Sequence, residues 1–369
     1  MKNVAYMFGG MNRGGAETIM LDVFRNWRNA HFEFIGIHRK DGTMREAFYD
    51  AGPKLYQLSP RRFGYVRYLL QLRRLIKSEN VTTIHAQHWL DTIYAWLATI
   101  GMDVQLVTTL HGFYPMRGIN GFLCRMSIRM ADDVCFVSRY EQEWYQRHMR
   151  ISDSKCHVIY NGIDFEKINQ ESEVISELED GSRIRLAMVG SFSPARNHLL
   201  VCKAVNMIPR DVDLYFIGAR NEHISHSYND CYEYCKENNM LNNVHFVGEQ
   251  SNVYAWLKKM NGFVFATQHD TFGISLIEAM AVGLPVIVSD WEVMKEICAP
   301  FSKPFVQMFR MDDAHECAHK MLYLIDHLNE SRKAALNQSE LTREYYSMDA
   351  YFTRLIKIYT YHDIIGKNF

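Results

Sequence analysis

Short, continuously apolar runs separated by longer amphipathic stretches recur along this chain, and that rhythm leaves few folds open. In the first half the runs are NVAYMF (3–8), FEFIGIH (32–38), VTTIHA (81–86), VQLVTTLHG (104–112) and DVCFVS (133–138). Helix-like stretches lie between them, such as 15–28, 65–78, 120–131 and 139–149. Apolar residues in the runs are consecutive rather than alternating, as expected of strands covered by helices on both faces. Strand and helix in alternation predict a parallel, doubly wound α/β sheet. After HVIYNGID (157–164) the rhythm breaks. Residues 165–183 carry Glu166, Glu171, Glu173, Glu177, Glu179 and Asp180, which reads as a solvated connector with some helical character. Alternation then resumes with strands at 184–190, 213–218, 243–248, 262–267 and 285–289, and helices at 198–207, 228–238, 252–259, 273–283 and 291–297. At 369 residues the chain exceeds what one core usually serves. Two Rossmann-like domains facing each other across a cleft are expected, over 1–165 and 183–349. The polar helical stretch at about 350–369 is a candidate for returning to the first.

Composition removes several functions. With 41 basic and 42 acidic residues the net charge is -1, which gives no global reason to expect nucleic-acid binding. The six-residue apolar run at the N-terminus is too short for a signal-peptide core. No stretch approaches the roughly 18 uninterrupted apolar residues that span a bilayer. The expectation is a cytoplasmic protein, or one peripheral at the inner membrane face. The eight cysteines are sparse and several sit in apolar runs, so reduced thiols are expected.

Two glycine-bearing segments carry the chemistry. In FGGMNRGGAET (8–18), Gly9, Gly10, Gly14 and Gly15 follow a strand and open a helix, where backbone N–H groups and the helix dipole hold an anion. The strict G-x-G-x-x-G spacing is absent, and such a loop is as often a plain tight turn. In HDTFGISLIE (269–278), Gly273 sits where a helix should begin. The amides of Phe272, Gly273, Ile274 and Ser275 would form a second anion site. Glu278, flanked by Ile277, Ala279 and Met280, reads either as a carboxylate complementing the helix dipole or as an acceptor for a ribose diol. An apolar setting makes an unpaired carboxylate costly and favours the polar ligand.

The ordered set GGAE (14–17), HG (111–112), VSRYEQEW (137–144), NGID (161–164), GSFSPARNH (190–198), VHFVGE (244–249) and D-x7-E (270–278) running into EAMAVGLPVIVSD (278–290) resembles glycosyltransferase family 4 over nearly the whole chain. The resemblance implies the GT-B fold and transfer of a hexose-type sugar from a UDP- or GDP-sugar to a hydroxyl of a glycan or lipid-linked acceptor. It also implies retention of anomeric configuration and a setting in surface polysaccharide or glycolipid assembly. It places Gly14 and Gly15 by the donor diphosphate and His111 at the donor sugar, facing the reaction centre. Asp270 falls on the sugar hydroxyls, Glu278 on the ribose, and the amides of 272–275 on the diphosphate. Two positions depart from the family pattern. Asp270 stands where Glu is usual, and Ser191 replaces the first cation of G-R-x-x-x-x-K, leaving Arg196 as the retained charge. Arg139 and Arg13 are candidates for a second.

The departing diphosphate needs preorganised dipoles and cations, a role that suits Arg196 and the loop amides. In a retaining mechanism of this family the acceptor attacks from the leaving-group side, so no dedicated base is required. Recognition of the nucleotide base is expected near Gly248, Glu249 and Gln250, mainly through backbone atoms. No cofactor and no essential metal are expected. The rival readings are a nucleotide-sugar epimerase or hydrolase on the same fold, and a catalytically silent nucleotide-sugar-binding partner.

Other signals have blander readings. DVD (211–213) precedes a strand, whereas a metal–diphosphate site should follow one, so it reads as a turn. His223, His226, Cys231 and Cys235 match no familiar zinc spacing. HAQH (85–88) at a strand end borders the acceptor side or is packed structurally. In RRFGYVRYLLQLRRLIK (61–77), Tyr65, Leu69, Leu72 and Ile76 share a helical face. That predicts a core-packed helix whose basic face either is solvated or touches anionic lipid.

Overall fold

Seven strands form one all-parallel sheet in the order β3-β2-β1-β4-β5-β6-β7, and six form a second in the order β10-β9-β8-β11-β12-β13. The first contains β1 (Lys2–Phe8), β2 (Phe32–His38), β3 (Lys54–Gln57), β4 (Val81–Ala86), β5 (Gln105–Leu110), β6 (Asp133–Phe136) and β7 (Cys156–Val158). The second contains β8 (Ile184–Val189), β9 (Val212–Ile217), β10 (Val244–Gly248), β11 (Gly262–Phe265), β12 (Val286–Ser289) and β13 (Val306–Phe309). These come from a computed structural model, which describes residues 2–27, 32–114, 116–170, 183–220 and 226–365. Much of the expected acidic connector, from 171 to 182, lies outside the described residues, as does His223.

Each sheet belongs to its own unit: residues 1–163 with 348–369, and residues 164–347. In each, the chain starts at an inner strand, winds outward to one edge, then returns beside the starting strand and winds to the other. The strand order reverses between β1 and β4 and between β8 and β11. Such a reversal sends the two following helices to opposite faces of the sheet and leaves a crevice between them, and in open α/β sheets ligands bind outside the carboxyl ends of the strands there.

Three strands, β3, β7 and β13, were not visible in the apolar rhythm, and all three are sheet edges. Edge strands pack on fewer neighbours, so Lys54 and Gln57 of β3 stay at least partly solvated and β7 is half-buried throughout. In β13 the run is interrupted by Gln307.

The helix Met348–Ile365 belongs to the first unit, and its Tyr351 and Tyr359 enter that unit's core. Tyr359 Oη lies 2.6 Å from His85 Nδ1, and Thr109 Oγ1 lies 2.6 Å from His85 Nε2. Tyr359 also reaches Tyr6, which contacts Tyr351. Complete burial holds His85 at about 3, so the ring is neutral and serves packing.

The basic segment 61–77 divides into helices Pro60–Phe63 and Tyr65–Ser78, separated by Gly64 at φ 76°. Tyr68, Leu72 and Ile76 form the buried i, i+4, i+8 stripe. Tyr65, expected in the core, is instead 66% exposed, and Tyr68, one turn further along the helix, takes the buried position. Asp213 is also corrected: it is the second residue of β9, not a turn, and pairs with Arg183 at 3.1 Å and His245 at 3.7 Å. Cys231 and Cys235 are fully buried, with Cys235 Sγ 3.6 Å from Cys202 Sγ, which makes them core thiols joining two helices. All eight cysteines are free.

Candidate active site

In the second unit the loops after β8 (190–197) and β11 (266–273) lie side by side at the strand-order reversal. Backbone bonds join them: Asn197 N–H to Ala266 O at 3.0 Å and Gln268 N–H to Ala195 O at 2.9 Å. Ser289 completes the seam, accepting from Thr267 N–H at 2.9 Å and donating to Thr267 O at 2.7 Å. This brings Ser191 and Arg196 to the same rim as Asp270–Ser275.

Glycine is required in that seam. Gly190 has φ 146°, and any Cβ there would collide with the Arg196 guanidinium. A Cβ on Gly218, after β9, would collide with the Gly190 carbonyl. Arg196 thus lies on bare backbone, with its guanidinium carbon 5.7 Å from the Phe265 ring centroid. Its Nη2 is 3.6 Å from Asp270 Oδ2, and the two side chains keep 25% and 19% of their exposure. His198 is buried, stacks on Phe192 at 4.1 Å and is pushed down to about 3 by burial and the nearby Arg196 charge. It props the loop and carries no charge.

Asp270 does more than face Arg196. Its Oδ1 accepts from the amides of Phe272 at 3.1 Å and Gly273 at 3.0 Å, and Trp291 Nε1 donates to its carbonyl at 2.8 Å. A short Asp side chain reaches its own i+2 and i+3 amides where Glu would overshoot. The expectation that four loop amides serve as an anion site is therefore corrected. Two are taken by Asp270, while among the described residues the amides of Ile274 and Ser275 donate to no backbone acceptor. Helix Ile274–Ala281 starts one residue later than expected, with left-handed Gly273 (φ 83°) as its N-cap. The Ser275 hydroxyl is turned inward to Val189 O at 3.0 Å, so only its backbone faces the rim.

Glu278 is half-buried and accepts from Tyr254 Oη at 3.3 Å. Tyr254 opens the helix Val253–Lys258, just past the 248–250 turn. That contact ties the two segments together, and sequence reasoning missed it. Only the position of a tyrosine behind the expected base-binding turn could have signalled it. Gly248 is left-handed at φ 80°, and its carbonyl accepts from Gly218 N–H at 2.9 Å. Glu249 is exposed, and Gln250 Nε2 folds back to Val247 O at 3.3 Å.

In the first unit, Gly14 precedes helix Gly15–Asn26 as its N-cap. A Cβ on Gly14 would lie 2.6 Å from Glu17 Oε2, so this carboxylate curls back over the helix entrance. Burial raises the Glu17 carboxyl above its ordinary range. After β5, His111 Nε2 lies 2.9 Å from Oε1 of Gln87, the glutamine of the HAQH segment just past β4. Gln87 is buried, and its Nε2 meets no hydrogen-bond partner among the described residues. His88 Nδ1 accepts from Leu90 N–H at 3.1 Å, capping the next helix. Desolvation, then the neighbouring His88, pushes His111 down to about 4; desolvation, then Arg39, does the same for His88. Both imidazoles are neutral near pH 7 and offer hydrogen bonds, not charge. Of the HAQH histidines, His85 is thus a packing residue and His88 a cap beside His111.

Two families match the chain in tandem: Glycosyltransferase Family 4 over residues 13–167 and Glycosyl transferases group 1 over residues 169–340. The chain is 22% identical over 313 residues to the capsular polysaccharide biosynthesis glycosyltransferase CapH of Staphylococcus aureus, covering 80% of this chain and 84% of that one. It is 23% identical over 300 residues to the UDP-Gal:alpha-D-GlcNAc-diphosphoundecaprenol alpha-1,3-galactosyltransferase of Escherichia coli, covering 75% and 76%. In fold it is similar to Anabaena HepE in complex with UDP-glucose. The TM-score is 0.85 at 14% identity, over 98% of this chain and all of that one.

Proposed function

The chain belongs to glycosyltransferase family 4 and is a glycosyltransferase of the GT-B fold, and from that premise we propose which transfer it performs. It moves a hexose-type sugar from a UDP- or GDP-sugar, with retention, to a hydroxyl of a glycan or lipid-linked acceptor in surface polysaccharide or glycolipid assembly. The names of CapH and of the galactosyltransferase, with its UDP-Gal donor and diphosphoundecaprenol-linked acceptor, support this class.

The observation that carries the reading is the rim after β8 and β11, where Arg196 and Asp270 flank the entrance of helix Ile274–Ala281. Arg196 offsets charge developing on the leaving diphosphate, and the amides of Ile274 and Ser275 add fixed dipoles. Asp270 orients hydroxyls of the transferred sugar while its Oδ1 keeps the loop in shape. Glu278, steadied by Tyr254, takes the ribose diol, and the backbone at Gly248, Glu249 and Gln250 receives the base. On the first unit, neutral His111, held by Gln87, hydrogen-bonds a sugar hydroxyl, and the Gly14–Gly15 entrance receives a phosphate oxygen once Glu17 swings away. No side chain is required as a base, because the departing diphosphate takes the acceptor's proton. No metal is needed, because Arg196 and the helix entrance supply the positive potential.

Thermal-shift screening of UDP- and GDP-sugars identifies the donor. NMR of the product from an α-linked donor then reports the anomeric configuration, with and without a chelator. An α product with chelator-insensitive rates is the expected outcome. Donor breakdown or epimerisation without acceptor at the full rate would replace transfer with a hydrolase or epimerase.

A further inference from the structure

Large apolar side chains more than half exposed are few among the described residues, and six of the seven stand together. Tyr65, Val66, Leu70, Ile100, Ile119 and Phe122 lie on or at the end of three successive helices of the first unit, Tyr65–Ser78, Trp89–Thr99 and Gly118–Met130. These helices connect β3 to β4, β4 to β5 and β5 to β6, and right-handed crossovers put all three on one face of the sheet. They pack side by side. Arg73 Nη1 fastens the first to the second, donating to Ala98 O at 2.8 Å and Ile100 O at 2.9 Å.

The exposed apolar groups are interleaved with cations along single stripes. Val66, Leu70, Arg74 and Lys77 follow one another at i, i+4, i+8 and i+11, and all are exposed. On the third helix Ile119, Phe122 and Arg129 fall at i, i+3 and i+10, exposed in the same way. Residues 60–131 hold nine Lys and Arg against three acids, in a chain whose overall balance is 41 to 42. Of those acids, Glu79 is engaged by Lys54 and Tyr56, and Asp91 is buried against Arg39.

A solvated helix layer has no use for bulky apolar tips on its water side, and the core of a protein–protein interface is depleted of charge. Apolar tips and long cations mixed on one face suit a surface that is apolar below and anionic above. Among the described residues no helix is long and apolar enough to cross a membrane, so contact would be lateral.

We propose that the outward face of this three-helix layer docks on an anionic lipid surface. Val66, Leu70, Ile119 and Phe122 enter the headgroup region, and Arg61, Arg67, Arg74, Lys77 and Arg129 pair with lipid phosphates. The proposal deepens the transfer reading, on which it rests only for the purpose of the docking: it brings the enzyme to a lipid-linked acceptor.

Co-sedimentation of the full chain with phosphatidylcholine vesicles, with and without phosphatidylglycerol, tests it at low and high salt. Binding is expected only to the anionic vesicles, and it weakens with salt. The triple variant Arg61→Glu, Arg67→Glu, Arg74→Glu should lower partitioning by about a hundredfold, at roughly fivefold per cation. Val66→Ser with Phe122→Ser should lower it about tenfold at either salt. An unchanged melting temperature shows that the variants fold. Absent binding at low salt, or partitioning that the triple variant does not alter, overturns the proposal. So does a dimer in solution that Val66→Ser with Phe122→Ser dissociates, because the face then seats a second copy. Transfer to a water-soluble acceptor separates the two readings. Vesicle binding without transfer sinks the function alone, and transfer without vesicle binding sinks the docking alone.

Discussion

Each unit lays an arginine against the glycine that follows its first strand, and the two arginines are paired to opposite degrees. In the first unit, Arg39 Nη2 would lie 3.1 Å from a Cβ on Gly9. Its guanidinium grips Asp91 with two bonds, at 2.8 and 3.2 Å, and the Asp91 side chain is fully buried. Burial raises the Asp91 carboxyl and the guanidinium opposes it, so the pair stands only as a pair. In the second unit, Arg196 covers Gly190 in the same way, but its aspartate is 3.6 Å away and both side chains remain part-exposed. Where both partners are spent on each other, the pair is structure. Where geometry leaves donors and lone pairs unspent beside a helix entrance, the pair is available to a ligand.

The largest expected effect tests the structural member. Asp91→Ala leaves the Arg39 charge half-enclosed without a counterion and should cost about 3–5 kcal/mol of stability in urea unfolding. Asp270→Ala should cost about 1–2 kcal/mol, mostly from the two loop amides it releases, because the ion pair itself is screened by solvent. Equal losses would abolish the contrast. Next comes Arg196→Ala, expected to lower kcat/KM about a hundredfold with little change in melting temperature. A variant within twofold of wild type would remove Arg196 from the leaving-group site. Glu278→Gln is smaller: the KM for donor should rise about tenfold with kcat less affected, the pattern of lost ground-state binding. A fall in kcat alone would move Glu278 to the reacting sugar.

The smallest effect concerns the neutral histidines. With His111 held at about 4, it contributes no limb to the pH–rate profile between pH 5 and 8. Gln87→Glu places a carboxylate beside it, raises its pKa, and should bring in a limb between about pH 5 and 7. A profile unchanged by that substitution would separate Gln87 from His111. The same shift has a stability consequence. The folded pKa lies below the unfolded value of about 6.5, so its contribution is complete above that pH. It is lost as pH falls through the window down to about 4, because the unfolded chain takes up the proton first.

Much of the fold was legible because inner strands of a doubly wound sheet are covered on both faces, and all nine of them, with the edge strand β10, appear as apolar runs. β3, β7 and β13 were not legible, because an edge strand need not be apolar throughout. The site was legible in its residues but not in their connections. The spacing from Asp270 to Glu278 is local and could be read directly. That Asp270 would use two of the four loop amides depends on the turn it adopts, and Tyr254 reaches Glu278 only because the helix after β10 folds back toward the helix after β11. Tyr65 and Tyr68 are both aromatic and three residues apart. Which one is buried depends on what the helix packs against, and the local pattern does not contain that.

By itself the sequence determined the alternation of buried strands and amphipathic helices, the glycines where backbone must pass close, and the residue types at the loops. These follow from local periodicity and steric limits. Tertiary structure alone decided which loops meet. Ser191 and Arg196 stand beside Asp270 because β8 and β11 are neighbours at the reversal of strand order, although some 75 residues separate them along the chain. It also decided which charges are spent, since Arg39 and Arg196 look alike in sequence. The difference is burial, and burial is a property of what packs around a residue.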